Sequence, residues 1–110
     1  MRMKKYYLTI TGTNYYHGTK FLETGMEVCL EKDYNNDYDA EAIMVKLPGL
    51  GKIGYIANSP STVIGESISA GRLYDKFHRT LQAKVEYVLS DGVICSVSLV
   101  DQKYHNVKHF

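Results

Sequence analysis

Apolar and polar residues alternate on a period of two along most of this chain, which is the pattern of half-buried strands. Tyr6, Leu8 and Ile10 take one side of residues 5–11, with Tyr7, Thr9 and Thr11 on the other. Met26, Val28 and Leu30 alternate with Glu27, Cys29 and Glu31 through Lys32. The apolar run 42–47 and the short run 52–56 give a third and fourth strand. Leu81, Ala83, Val85, Tyr87 and Leu89 alternate within 80–89, and Val93, Cys95, Val97 and Leu99 within 93–100. β-branched and aromatic residues dominate these runs, as pleated surfaces favour.

The punctuation between runs fixes the connections. Pro48-Gly49-Leu50-Gly51 is a turn by composition. Ser90-Asp91-Gly92 reads as a tight hairpin with Gly92 at positive φ. Gly54 inside the fourth run marks a bulge or a close approach by another backbone or a ligand. Ser59-Pro60 is a helix start, with Ser capping and Pro pre-set for the first position. Val63, Ile64, Ser67 and Ile68 then form one stripe, so a helix is expected over 60–70, ending near Gly71 and plugging one end of the sheet. Gly65 within it costs about 1 kcal/mol relative to Ala, so that helix leans on tertiary packing. The expected architecture is mainly β: a small six-stranded, OB-like antiparallel barrel with one helix between strands four and five.

Length and composition narrow the class. The 110 residues suit a single domain, 1–110, with a polar tail over 101–110 that frays. A net charge of +1 supplies no global field toward nucleic acid or membrane, so any such contact must be local. Ten tyrosines and no tryptophan suit interfaces or base stacking. Cys29 and Cys95 lie in strand runs with no Cys/His cluster nearby, which argues against a metal site. They read as small hydrophobes in a reducing, cytoplasmic setting, and no secretory or membrane-spanning run is present.

Candidate chemistry concentrates in Tyr34-Asn35-Asn36-Asp37-Tyr38-Asp39, a turn loaded with polar groups just ahead of the third strand. It can hold Tyr38 and Asp39 side by side as a binding site, or be a surface loop built of Asx turns. Asn14-Tyr15-Tyr16-His17-Gly18 brings two adjacent rings; in extended backbone one would face inward and the other out. Arg72, Lys76, His78 and Arg79 interleave with Tyr74 and Phe77 in a connector, the pattern of single-strand grooves and equally of a solvated loop pinned by two rings. No Ser/His/Asp order, metal cluster or phosphate loop supports an enzyme or a cofactor.

Three segments in order, Gly12-x-x-Tyr15-Tyr16-x-Gly18, Asn36-Asp37-Tyr38-Asp39-x-x-Ala42-Ile43-x-Val45 and Ile53-Gly54-Tyr55-Ile56, resemble the successive motifs of the HIRAN domain family. The resemblance runs from about Leu8 to Val97. It implies a barrel that captures the free 3′-hydroxyl end of single-stranded DNA in repair or replication. In the family the domain is fused to helicases and nucleases or stands alone, so a DNA-processing ATPase or nuclease is an implied partner. On this resemblance Tyr15 and Tyr38 match the rings that hold the terminal base, and Asp39 the carboxylate that accepts the hydroxyl proton. Asn14, Tyr16, Asn36 and Tyr55 fall at neighbouring binding positions, and Arg72, Lys76 and Arg79 are expected phosphate contacts. Asn14 stands where a relative carries Arg, Ala57 where it carries a ligand-contacting Lys, and Asp37 adds a negative charge beside Asp39. The alternative is a protein-interaction module docking a partner through its tyrosine-rich face.

Overall fold

The alternating runs become six strands: β1 (Met3–Thr11), β2 (Glu27–Lys32), β3 (Ile43–Leu47), β4 (Gly51–Ile56), β5 (Thr80–Leu89) and β6 (Gly92–Val100). The computed structural model describes residues 2–101, so the tail expected to fray lies, from 102 on, outside the described residues. Every strand pairing is antiparallel, in the order β1-β4-β3-β2-β5-β6, and β6 pairs back with β1 to close a barrel. One face of each strand fills the interior. Leu8, Ile10, Leu30, Ile43, Val45, Ile53, Val85 and Val93 are fully buried there, and each such side chain contributes about 1.5–3 kcal/mol by leaving water.

Cys95 belongs to this core, and burial pushes its thiol up to about 12. It packs as a small hydrophobe and not as a nucleophile. Cys29 is also free and only partly buried.

The helix expected over 60–70 is absent. Ser59 does begin a turn, its carbonyl taking the Thr62 and Val63 amides. The chain then breaks at Gly65, which sits at φ +59. The amides that a helix would use internally go to β1 instead: Ile64 N–H donates to Thr9 Oγ1 at 3.0 Å and Ile68 N–H to the Tyr7 carbonyl at 2.8 Å. This segment therefore lies along β1, which explains why Thr9 is buried on what the alternation marks as the outer face. The helix is short and later, α1 (Ala70–Tyr74), capped by Ser69. It takes up part of what reads as a connector from Arg72 on. Its Ala70 and Leu73 are fully buried, and it plugs the barrel between β4 and β5 as the displaced helix was expected to.

Two glycines stand where another group approaches closely. A Cβ on Gly54 would lie 2.8 Å from the Thr11 carbonyl oxygen, where β4 crosses β1, and a bulge at Val45/Lys46 sits opposite it. Gly92 corrects the sequence reading. Its φ is not positive; a Cβ there would meet Ile64 Cδ1, a side-chain tip, at 2.7 Å, so the close contact comes from the covering segment and not from the turn. A second bulge, between Val85 and Tyr87, leaves Glu86 to bond Ser96 Oγ at 2.6 Å and Lys5 Nζ at 3.0 Å on the barrel exterior.

Candidate binding groove

The β2–β3 connection folds upon its own polar side chains. Asn36 Oδ1 accepts the Tyr38 and Asp39 amides, both at 2.9 Å, and Asp39 Oδ1 accepts the Glu41 amide at 2.9 Å. The Asp33 amide closes the base of the loop on the Ala42 carbonyl. Short amide and carboxylate side chains spent on nearby backbone make Asx turns. Here they hold Asp39 partly buried while Tyr38 stands out, 98% exposed.

The second carboxylate oxygen of Asp39 is held from across the barrel mouth. Asn58 Nδ2 donates to Asp39 Oδ2 at 3.0 Å, and Asn58 Oδ1 accepts the Gly71 amide at 2.7 Å. Asn58 follows β4 and Gly71 lies in the first turn of α1, so three separate elements meet at this carboxylate. Between them runs an open groove of about 400 Å³, with Asn36, Tyr38, Asp39, Tyr55, Asn58 and Thr62 among its walls. No lysine or arginine lines it.

Tyr15 and Asn14 line an adjoining groove of about 320 Å³ beside the β5–β6 turn, and Thr11 borders both grooves. The two rings expected to hold one base therefore stand on either side of Thr11. The local backbone differs from the expectation too. Thr13–Tyr15 is a single 3-10 turn and not extended chain, so neither ring points inward. Tyr15 is 88% exposed, and Tyr16, 39% exposed, rests on the barrel exterior with its ring centre 6.4 Å from that of Tyr55.

Tyr55 links the groove to a polar chain. Its hydroxyl donates to Asp33 Oδ2 at 2.7 Å and accepts from Lys52 Nζ at 2.7 Å. The hydroxyl bond holds the Asp33 carboxyl below the usual range, and the same phenol holds the Lys52 ammonium above its usual value. Burial raises the Tyr55 phenol.

The basic trio lies elsewhere. Arg72 borders a hollow with Lys4 and Lys5, Lys76 Nζ sits 5.4 Å from the Tyr6 ring centre, and none of Arg72, Lys76 and Arg79 lines either groove. Asn58, Lys52 and Asp33 were not among the site residues expected from sequence. The signal for Asn58 was its place between Ala57 and the Ser59-Pro60 turn. Lys52 gave none, since residues three apart on a regular strand face opposite ways, and the register shift against β3 is what brings it beside Tyr55. Among the described residues no group of three or more His, Cys, Asp or Glu is placed to hold a metal ion. Nor is any described helix long and apolar enough to cross a membrane.

Comparison with known proteins adds to this geometry. The chain matches the HIRAN domain family over residues 3–98. Among solved structures, a crystallised structural-genomics target from Lactobacillus plantarum is 25% identical, with a TM-score of 0.54. That match covers 89% of this chain and 99% of the other. No curated protein matches the chain.

Proposed function

The chain belongs to the HIRAN domain family, a family of nucleic-acid-binding domains, and from that premise we propose that it is a non-catalytic module that captures the free 3′-hydroxyl end of single-stranded DNA. The observation that carries this reading is the Asp39 carboxylate, held on the Glu41 amide and the Asn58 side chain at the wall of an open groove beside the exposed Tyr38 ring. A carboxylate rewards a hydroxyl that donates to it and repels a continuing phosphate by charge, so one residue both accepts an end and rejects an interior position. Asp37, two residues away, adds to that repulsion.

Base stacking on an aromatic ring is worth about 1–3 kcal/mol and tolerates any base. Tyr38 and Tyr15, in adjoining grooves, offer stacking faces to the last nucleotides of a strand. Asn36 spends its carbonyl oxygen on the loop and thereby sets the Tyr38–Asp39 pair. A DNA-processing ATPase or nuclease acting with this module would supply the chemistry that a binding domain does not.

One observation favours a second reading. The groove has no cation on its walls and the chain carries a net charge of only +1, which suits a protein partner docked on the tyrosine-rich face. Fluorescence anisotropy with labelled single strands ending in 3′-hydroxyl, 3′-deoxy and 3′-phosphate separates the two. End capture expects that order of affinity. Equal binding of all three ends, or none at tens of micromolar, favours the docking face.

A further inference from the structure

We infer that Lys52 is the phosphate anchor of this groove, a cation mounted at the far end of the Tyr55 ring to take a backbone phosphodiester of a strand whose terminus lies at Asp39. The inference rests on the DNA-end reading above and names the positive charge which that reading otherwise lacks.

The groove needs a cation from outside its own walls, because none of the residues lining it is basic. Tyr55 lines it, and Tyr55 Oη lies 2.7 Å from Lys52 Nζ. The direction of that bond is set. The Tyr55 hydroxyl gives its proton to Asp33 Oδ2 at 2.7 Å, so toward Lys52 it can only accept. An ammonium has three N–H donors, and this one is committed through a single bond to a neutral phenol. Its other donors are available to an anion.

Other lysines of the barrel exterior are less suited. Lys46, paired with Lys52 in register across β3 and β4, is 3.6 Å from Glu31, and Lys5 is 3.0 Å from Glu86. A carboxylate already balances each of them, and a phosphate would have to displace it. At Lys52 the nearest bonded group is uncharged, with Asp33 one hydroxyl further on. The Tyr16 ring centre lies 5.7 Å from Lys52 Nζ, adding an aromatic neighbour that favours a cation in place. The stem is held before any ligand arrives, so less side-chain entropy is lost on binding than at a free surface lysine. The phenol bond keeps the amine protonated above its usual range, so the charge persists at any pH where DNA would be bound.

The test compares wild type, Lys52→Gln, Lys52→Arg and the triple Arg72→Gln/Lys76→Gln/Arg79→Gln for binding of one labelled single strand across a salt series. A lost phosphate contact removes about 0.7 from the slope of log affinity against log salt. Lys52→Gln should show that drop, with several-fold weaker binding at low salt for every sequence, while Lys52→Arg keeps the slope. The triple variant should change the slope less than Lys52→Gln does. A wild-type slope retained in Lys52→Gln overturns the inference and leaves end capture standing. If wild type binds no strand, end capture fails, and a titration of the wild-type protein with dimethyl phosphate, followed at the lysine Cε–Hε resonances, decides Lys52 separately. A saturable shift at Lys52 sustains it as a phosphodiester site though not one for a strand ending at Asp39; its absence rejects the inference. That titration needs no variant, so a misfolded Lys52→Gln protein does not block the answer.

Discussion

Asn58 fixes Asp39: its amide nitrogen donates to Asp39 Oδ2 at 3.0 Å while its oxygen is held by the Gly71 amide at 2.7 Å. Because the Gly71 bond requires the oxygen on that side, the nitrogen must face the carboxylate. Asn58→Ala should cost about 1–3 kcal/mol of stability, since a charged acceptor loses a donor. It should also reduce the preference for a 3′-hydroxyl over a 3′-deoxy end, because the carboxylate is then free to turn. Asn58→Asp should abolish the preference by setting two carboxylates together. Thermal unfolding and end-series anisotropy check both parts; unchanged end preference in Asn58→Ala would show that the Asx turn alone orients Asp39.

Asp39 and Tyr38 should fail in different ways. A 3′-deoxy strand should bind wild type more weakly by about 1–3 kcal/mol, since the carboxylate loses a charge-assisted bond from the terminal hydroxyl. The 3′-phosphate should bind weakest. Asp39→Asn should flatten this ranking, because the amide keeps an acceptor and removes the repulsion. Tyr38→Ala should lower all three ends about equally, as stacking is indifferent to the sugar's terminus. Anisotropy on the same three strands measures each pattern.

Glycine substitutions should rank by what their new methyl meets. Gly54→Ala drives a Cβ against the Thr11 carbonyl, which is strand backbone and cannot yield cheaply. A cost of about 1–3 kcal/mol is expected, or about 4–8 °C in Tm per kcal/mol for a domain of this size. Gly92→Ala meets only the tip of Ile64, which can swing away, and should cost less. The reverse ranking in thermal melts would place the tight contact at the hairpin.

Acid should destabilise the fold. Bonds from Tyr55 and Ser96 lower the Asp33 and Glu86 carboxyls respectively, with the Lys5 ammonium a further cause at Glu86. A depressed folded value gives stability that is complete above the ordinary carboxylate range and lost as pH falls through the folded value. Melting temperature should hold near neutrality and decline from about pH 5 downward. Asp33→Asn and Glu86→Gln should each lower the neutral plateau and make the acid decline shallower. The effect is modest because both carboxyls are only partly buried.

The strands were legible because a period of two survives in sequence wherever one face is buried; β2 shows it from end to end, and β5 only as far as the bulge after Val85, beyond which Tyr87 and Leu89 are exposed. The helix was misplaced because Ser59-Pro60 is a true local start whose continuation is decided by distant partners. Thr9 and Tyr7 take the Ile64 and Ile68 amides, and no pattern within 60–70 announces that. The candidate site divides in the same way. Tyr38, Asp39 and Asn36 are neighbours in the chain, so their turn chemistry is visible there. Asn58 reaches Asp39 across 19 positions and Tyr55 reaches Asp33 across 22, links created only when β2, β3 and β4 pair side by side.

The barrel's closure also limits how anything can attach. Among the described residues every strand is paired on both sides over part of its length, which leaves only short stretches, such as 97–100 on the β5 side of β6, where an incoming strand could meet free amides and carbonyls. Recruitment by strand addition, a common way for a small β domain to hold a peptide, has only those short stretches to use here. A DNA end or a protein partner would therefore be gripped mainly through side chains projecting from loops and outer faces.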